Sequence, residues 1–258
     1  MSVTENVDVA LVAPRYLAGG GDPTWITAAL HRACDWSAQS NWLVPRVLLT
    51  SPDRNAVLRL GPDPDGPWWV LQHAPVGEQR AWSVSFGART PVEIIAGLTD
   101  ALTDPATAAQ ASAPDPYEPL RQAGWREGHD DEGLTSPDGL AHVEHFTHGP
   151  TDCWFARTAV SEDPEGLIWR AYLSGDTPAH LITGFTRALA EKAPLPRDPH
   201  PLRVPLNARR QARVTITQRP AAAVGLTLER RVTALADRSK QPVPTPVPPK
   251  APPPRRTR

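Results

Sequence analysis

The chain has 258 residues, 40% of them apolar and 21% charged, a composition that can bury one large core or two small ones and is neither fibrous nor disordered. No stretch approaches the roughly 20 apolar residues that cross a bilayer and no basic, apolar leader opens the chain, which predicts a cytoplasmic protein without membrane partners. The formal charge of -1 hides a division: residues 1 to 196 carry 13 Lys and Arg against 25 Asp and Glu, and residues 197 to 258 carry 14 against 3.

The first predicted helix follows the run Gly19-Gly20-Gly21. Glycines before a helix N-terminus can cradle a phosphate, but this run lacks a following Lys-Ser/Thr and the GxGxxG spacing, so it reads as a hinge or turn. Asp22-Pro23 supplies a capping carboxylate and a proline for the first helical position, and Trp25, Ile26, Ala29, Leu30 and Ala33 then recur at helical spacing. A strand over 46 to 50, a Ser-Pro-Asp-Arg turn and a strand over 56 to 60 come next. Proline at the second turn position presets φ, and the serine and aspartate can bond nearby amides. Strands over 68 to 73 and 81 to 87 follow; in the latter Trp82, Val84 and Phe86 alternate with Ser83 and Ser85. A helix then starts at Thr90-Pro91, with Glu93 placed to complete a capping box and Ile94, Ile95, Leu98, Ala101 and Leu102 as its apolar stripe.

The same order is then repeated. Leu-Thr-Ser-Pro-Asp occurs at 49 to 53 and again at 134 to 138, an offset of 85 that also places Trp69 on Trp154. With two more residues in the next loop, Trp82 falls on Trp169, Thr90-Pro91 on Thr177-Pro178, Gly97 on Gly184 and Ala101-Leu102 on Ala188-Leu189. Asp115-Pro116 matches Asp22-Pro23, and Trp125 matches Trp36 across a gap of four residues, about one helical turn or a trimmed loop. The fold expected is α+β: two duplicated modules, 13–106 and 114–197, each a helix, an antiparallel four-stranded sheet and a helix, with the helices on one face.

Beyond residue 197 the pattern changes. Residues 212 to 217 fit one more strand, and 220 to 238 place Val224, Leu228, Val232 and Leu235 on one stripe of a basic amphipathic helix within an extension spanning 198–240. The last 18 residues, 241–258, hold 8 prolines and several arginines and are expected to stay extended or disordered. This basic region attracts anionic partners, the acidic body among them.

"PRYLAGGGDP" at 14 to 23, the paired Ser-Pro-Asp turns, the tryptophan heading each module and the Thr-Pro helices resemble the actinobacterial family catalogued as domain of unknown function 317, in two tandem copies over about residues 13 to 197. The 24 Arg against 3 Lys suits a GC-rich genome of that kind. The resemblance implies domain organisation and no particular reaction or catalytic residue. His180 standing where the capping box wants Glu, and the shorter first helix of the second copy, depart from strict repetition.

Candidate chemistry is sparse. Ser51/Asp53 and Ser136/Asp138 could be nucleophile and carboxylate, but no histidine occupies equivalent places in the two copies, so they read as turns. On a strand His142, Glu144 and His148 share one face, a chemically plausible transition-metal set, while His145 faces away; the first copy offers Val57, Arg59 and Asp63 there, so no metal or other cofactor is expected. The acidic run 129 to 132 reads as a solvated loop. Cys34 and Cys153 are expected to be buried thiols. The six duplicated tryptophans read as core, whereas Trp25, Trp42 and Trp68 are unduplicated candidates for partner anchors, as are the extension's Arg209, Arg210, Arg213, Arg230 and Arg231 for charged contacts.

Three functions from different classes follow: a non-enzymatic protein-interaction module, favoured, with an unidentified protein partner; a nucleic-acid-associated protein using residues 198–258 for phosphate contacts; and a metal-dependent enzyme on His142, Glu144 and His148. The extension lacks aromatics for base stacking, which argues against single-strand reading by that segment.

Overall fold

The computed structural model describes residues 5–41, 44–62, 66–108, 114–128, 133–149, 151–200, 202 and 204–240. In chain order the elements are β1 (Asn6–Ala13), α1 (Thr24–Ala33), β2 (Ser37–Asn41), β3 (Val44–Thr50), β4 (Ala56–Leu60), β5 (Trp69–His73), β6 (Trp82–Phe86), α2 (Val92–Thr103), α3 (Pro105–Ala108) and α4 (Glu118–Gln122). They continue with β7 (Arg126–Glu127), β8 (Leu134–Thr135), β9 (Ala141–His148), β10 (Thr151–Ala159), β11 (Leu167–Ser174), α5 (Ala179–Ala190), β12 (Leu195–Arg197), β13 (Arg213–Pro220), α6 (Ala221–Gly225) and α7 (Thr227–Ser239).

The two expected four-stranded sheets are instead one antiparallel sheet of ten strands, in the order β2-β3-β4-β5-β6-β11-β10-β9-β8-β7. Each copy contributes five strands, and the join is the antiparallel pair β6–β11, with Ser85 opposite Tyr172, Val84 opposite Leu173 and Phe86 opposite Ala171. Since Ser85 and Tyr172 are equivalent positions, offset by 87, each flanking rung is the image of the other. This is the self-complementary contact of a two-fold interface, made within one chain. The four-residue difference between the copies lies in the edge hairpin: β2–β3 is a long pair, whereas β7 and β8 have two residues each.

Above the join, α2 and α5 cross at the equivalent glycines. A Cβ on Gly97 would lie 2.5 Å from the Gly184 carbonyl oxygen, and one on Gly184 would lie 2.8 Å from the Ala101 Cβ. Glycine and alanine at this crossing let the two helices approach as closely as β6 and β11 require. Strand alternation then sends Leu49, Leu58, Trp69, Leu71, Trp82, Val84 and Phe86 of the first copy to the helix side, with Val143, Trp154, Ala156, Trp169, Ala171 and Leu173 of the second, in one continuous core with Ile26, Ile95, Leu98, Ile182 and Phe185. All six duplicated tryptophans are core residues, none more than 7% exposed. Trp36 and Trp125 occupy matching helix exits, their amides bonding the carbonyls of Leu30 and Leu120 at 3.2 and 3.0 Å.

The helix starts differ from the expected caps. Asp22 and Asp115 do accept amides two residues on, those of Thr24 and Tyr117, each at 2.9 Å. Glu93, however, completes no capping box. Its carboxylate takes a two-pronged pair from Arg197 at 2.7 and 2.8 Å, while the Thr90 hydroxyl is buried without a partner. The first amide of α2, that of Val92, bonds the Gly20 carbonyl at 2.8 Å. Gly21 has φ +80°, and a Cβ on Gly20 would lie 2.6 Å from the Ala88 carbonyl oxygen, so the glycine run is a turn packed on this helix start.

A second sheet, β12-β1-β13, brings the first strand together with two late ones, and in it β1 pairs with β13 along its whole length. The sequence reading found β13 and missed β1, which precedes the first expected module. The predicted helix over 220 to 238 is broken into α6 and α7: Val224 is exposed, while Val232 and Leu235 pack on Ala29 and Ala33 of α1.

Adding a Cβ at the helix crossing separates α2 from α5. Gly97→Ala is expected to lower stability by about 1–3 kcal/mol despite alanine's better helix propensity, read as the urea midpoint. Gly225→Ala, where a Cβ meets nothing within 4 Å, is the neutral or stabilising control.

Candidate binding face

The two Ser-Pro-Asp turns are built alike. Ser51 Oγ donates to Asp53 at 2.5 Å and accepts the Ala56 amide at 2.9 Å; Ser136 Oγ donates to Asp138 at 2.6 Å and accepts the Ala141 amide at 2.9 Å. Each aspartate also accepts an amide two residues on, at 3.1 Å. The serines are buried and their hydroxyls are engaged on both sides, which is the bonding of a strand-joining turn. The Ser51 hydroxyl, with help from Asn55 and against desolvation, holds the Asp53 carboxyl below the ordinary aspartate range.

His142, Glu144 and His148 alternate to one face of β9 but do not converge. His142 Nε2 is 3.6 Å from Glu144 Oε2 and His142 Nδ1 is 3.0 Å from Thr135 Oγ1, while His148 lies at the exposed strand end beside the Phe146 ring. The described residues contain no group of three His, Cys, Asp or Glu side chains placed to hold a metal. His145 turns to the other face, stacked 4.3 Å from Trp154 and 2.7 Å from Asp152. Cys153 is buried and Cys34 half-buried, and burial pushes both thiols up. The run 129–132 lies outside the described residues.

Several expected partner contacts are made inside the chain. Arg231 lies 4.9 Å over the Trp25 ring, donates to the Trp25 carbonyl at 2.7 Å and forks onto Asp100 at 3.0 and 2.7 Å. Arg209 donates to the Leu202 carbonyl at 2.9 Å and the Val204 carbonyl at 3.3 Å. Arg231 thus holds α7 on the acidic body through Trp25 and Asp100, whereas Arg209 braces carbonyls of its own segment and stays exposed. Arg210, Arg213 and Arg230 are exposed. Trp42 lies outside the described residues, and Trp68 is 37% exposed at the start of the β5 row that faces away from the helices. A broad cleft between β1, α2, α5 and α7 is lined by charges of both signs, but Glu93, Asp100, Arg197 and Arg231 there are already paired with one another.

What the sequence reading missed is the face of the ten-stranded sheet opposite the helices. One row crosses it in register: Glu144, Phe155, Tyr172, Ser85, Val70, Arg59 and Leu48. On the neighbouring rung Arg157 stands opposite Arg170. Phe155 and Tyr172 are 42% and 38% exposed, with ring centroids 5.4 Å apart, and both arginines are exposed. Aligning the copies exposes the signal, because the equivalents of Phe155, Arg157, Arg170 and Tyr172 are Val70, Gln72, Ser83 and Ser85.

Two outcomes test these assignments. Ser51→Ala leaves the buried Ala56 amide unbonded and is expected to cost about 1–3 kcal/mol at neutral pH. Because the folded Asp53 carboxyl is depressed, its contribution is full above about pH 4 and lost as the pH falls through the folded value. Urea midpoints along an acid series are therefore expected to fall less steeply in the variant. Arg231→Gln is expected to speed amide exchange across α7, whereas the exposed Arg230→Gln stays within about 0.5 kcal/mol of the parent.

Comparison with known families gives one match: the SPDY domain, a domain of unknown function (DUF317), at residues 50–108 and again at 135–195. Both matched segments start at the threonine before a Ser-Pro-Asp turn and run through three strands of the large sheet and the helix that follows. No curated protein and no solved structure matches the chain. The chain thus carries two tandem copies of the SPDY domain, joined at β6–β11 into one sheet.

Proposed function

We propose that the protein is a non-catalytic interaction module that engages a macromolecular partner with the helix-free face of its ten-stranded sheet. The observation that carries this reading is the contrast between the two faces. Helices cover one, while the other holds Phe146, Phe155 and Tyr172 between 38% and 42% exposed, on neighbouring strands. Contiguous exposed aromatic surface is a mark of an interaction site, and these rings contribute little to any core. The serine–aspartate pairs, by contrast, already have a structural use in their turns.

A second reading is nucleic-acid association through residues 198–258. It draws on the 14 Lys and Arg against 3 Asp and Glu of residues 197 to 258, and in the described part Arg209, Arg210, Arg213 and Arg230 are exposed, Arg209 with its guanidinium bonded to the Leu202 and Val204 carbonyls. Affinity capture from native lysate separates the two. Wild type is run beside Phe155→Ser/Tyr172→Ser and beside Arg210→Gln/Arg213→Gln/Arg230→Gln. Capture lost in the face variant and kept in the arginine variant is the expected outcome. The reverse moves the assignment to the extension, and capture indifferent to both sets rejects the face.

A further inference from the structure

Resting on the interaction-module reading, we infer that the partner of this face is a single-stranded nucleic acid, with Phe155 and Tyr172 as a base-stacking platform and Arg157 and Arg170 as phosphate contacts. Three observations carry the inference. The first is the Arg157–Arg170 rung. Like charges directly opposite one another on a sheet are destabilising, and neither arginine forms an ion pair among the described residues. The body around them carries nearly twice as many acidic as basic residues over 1 to 196, so carboxylates were available to neutralise them. An uncompensated cationic pair on an acidic body is complementary to an anion.

The second observation is the adjoining rung. Phe155 and Tyr172 stand opposite each other, two residues along their strands from the arginines, so the ring and arginine positions share one face about 7 Å apart along each strand. Base-presenting polymers use that combination: aromatic rings take unstacked bases, and cations follow the backbone. A duplex keeps its bases stacked on one another, so it offers the rings nothing. Glu144, next in the aromatic row, has its carboxylate 3.6 Å from His142, which faces Arg157 on the arginine rung, and it forms no ion pair with either arginine.

The third is an internal control. The first copy builds the same strands and the same join with Val70, Gln72, Ser83 and Ser85 in these four places. The fold therefore needs neither the rings nor the arginines.

The test uses the full chain and fluorescence anisotropy with a labelled oligothymidylate and oligouridylate of about 12 nucleotides, within the usual site size of one sheet platform. A duplex of equal length and heparin serve as competitors. Expected is binding to single strands that duplex and heparin compete for poorly. Phe155→Ala or Tyr172→Ala weakens it about 5- to 150-fold, and Arg157→Gln or Arg170→Gln each lowers the salt slope by about 0.7. Gln72→Ala and Ser83→Ala in the first copy leave it unchanged, and thermal midpoints confirm that all variants fold. No anisotropy change at about 100 µM protein in low salt, or binding that heparin matches and the ring variants leave intact, overturns the inference. If lysate capture still depends on Phe155 and Tyr172 while no oligonucleotide binds, the nucleic acid is wrong and the interaction module stands. Loss of that dependence removes both.

Discussion

The pairing of β6 with β11 is the contact on which the molecule depends. It joins the two copies backbone to backbone, with equivalent residues Ser85 and Tyr172 facing each other, and so removes the edge that each five-stranded half would otherwise expose. The same two-fold relation sets α2 across α5, and only residues as small as Gly97, Ala101, Gly184 and Ala188 permit that approach. Sheet register and helix spacing are therefore one constraint. A side chain added at the crossing pushes on the strand pair below it, because helices and strands are tied by one continuous core.

A second constraint is the division of charge along the chain. The basic part of the chain, from Arg197 on, meets the acidic body through specific contacts rather than a diffuse field: Arg197 forks onto Glu93, Arg231 onto Asp100, and Arg32 of the body onto Glu229 of α7. Two of these, from Arg197 and Arg231, reach α2, the helix at the centre of the two-fold contact. With β13 paired along all of β1 and α7 seated on α1, the described part of the basic segment belongs to the helix-side architecture. Arg157 and Arg170 on the opposite face come instead from strands of the second copy.

Duplication also explains how the two faces diverge. The buried face is held to pattern in both copies, with tryptophans at 69 and 154 and at 82 and 169, since each ring fills a volume its neighbours define. The opposite face carries no such demand, and there Val70, Gln72, Ser83 and Ser85 in one copy stand against Phe155, Arg157, Arg170 and Tyr172 in the other. Residues that differ where the fold is indifferent are where a binding function is free to reside.

Local signals decided much of this protein from the sequence alone. The 85- to 87-residue duplication, the Ser-Pro-Asp turns, strands such as 56–60 and the buried tryptophans were legible because turn chemistry, alternation and helical spacing act over a few residues. Tertiary structure decided what lies between distant segments. Nothing near Glu93 in sequence says that its carboxylate answers Arg197 rather than its own helix start, and the alternation of β6 or β11 does not say that each has the other as its partner. Nor could the sequence tell Trp25 and Arg231 from free surface groups, since their contact is made 206 residues apart along the chain. The aromatic and arginine rungs became visible only when register placed Phe155 against Tyr172 and Arg157 against Arg170, because strand pairing is a long-range choice made by the whole core.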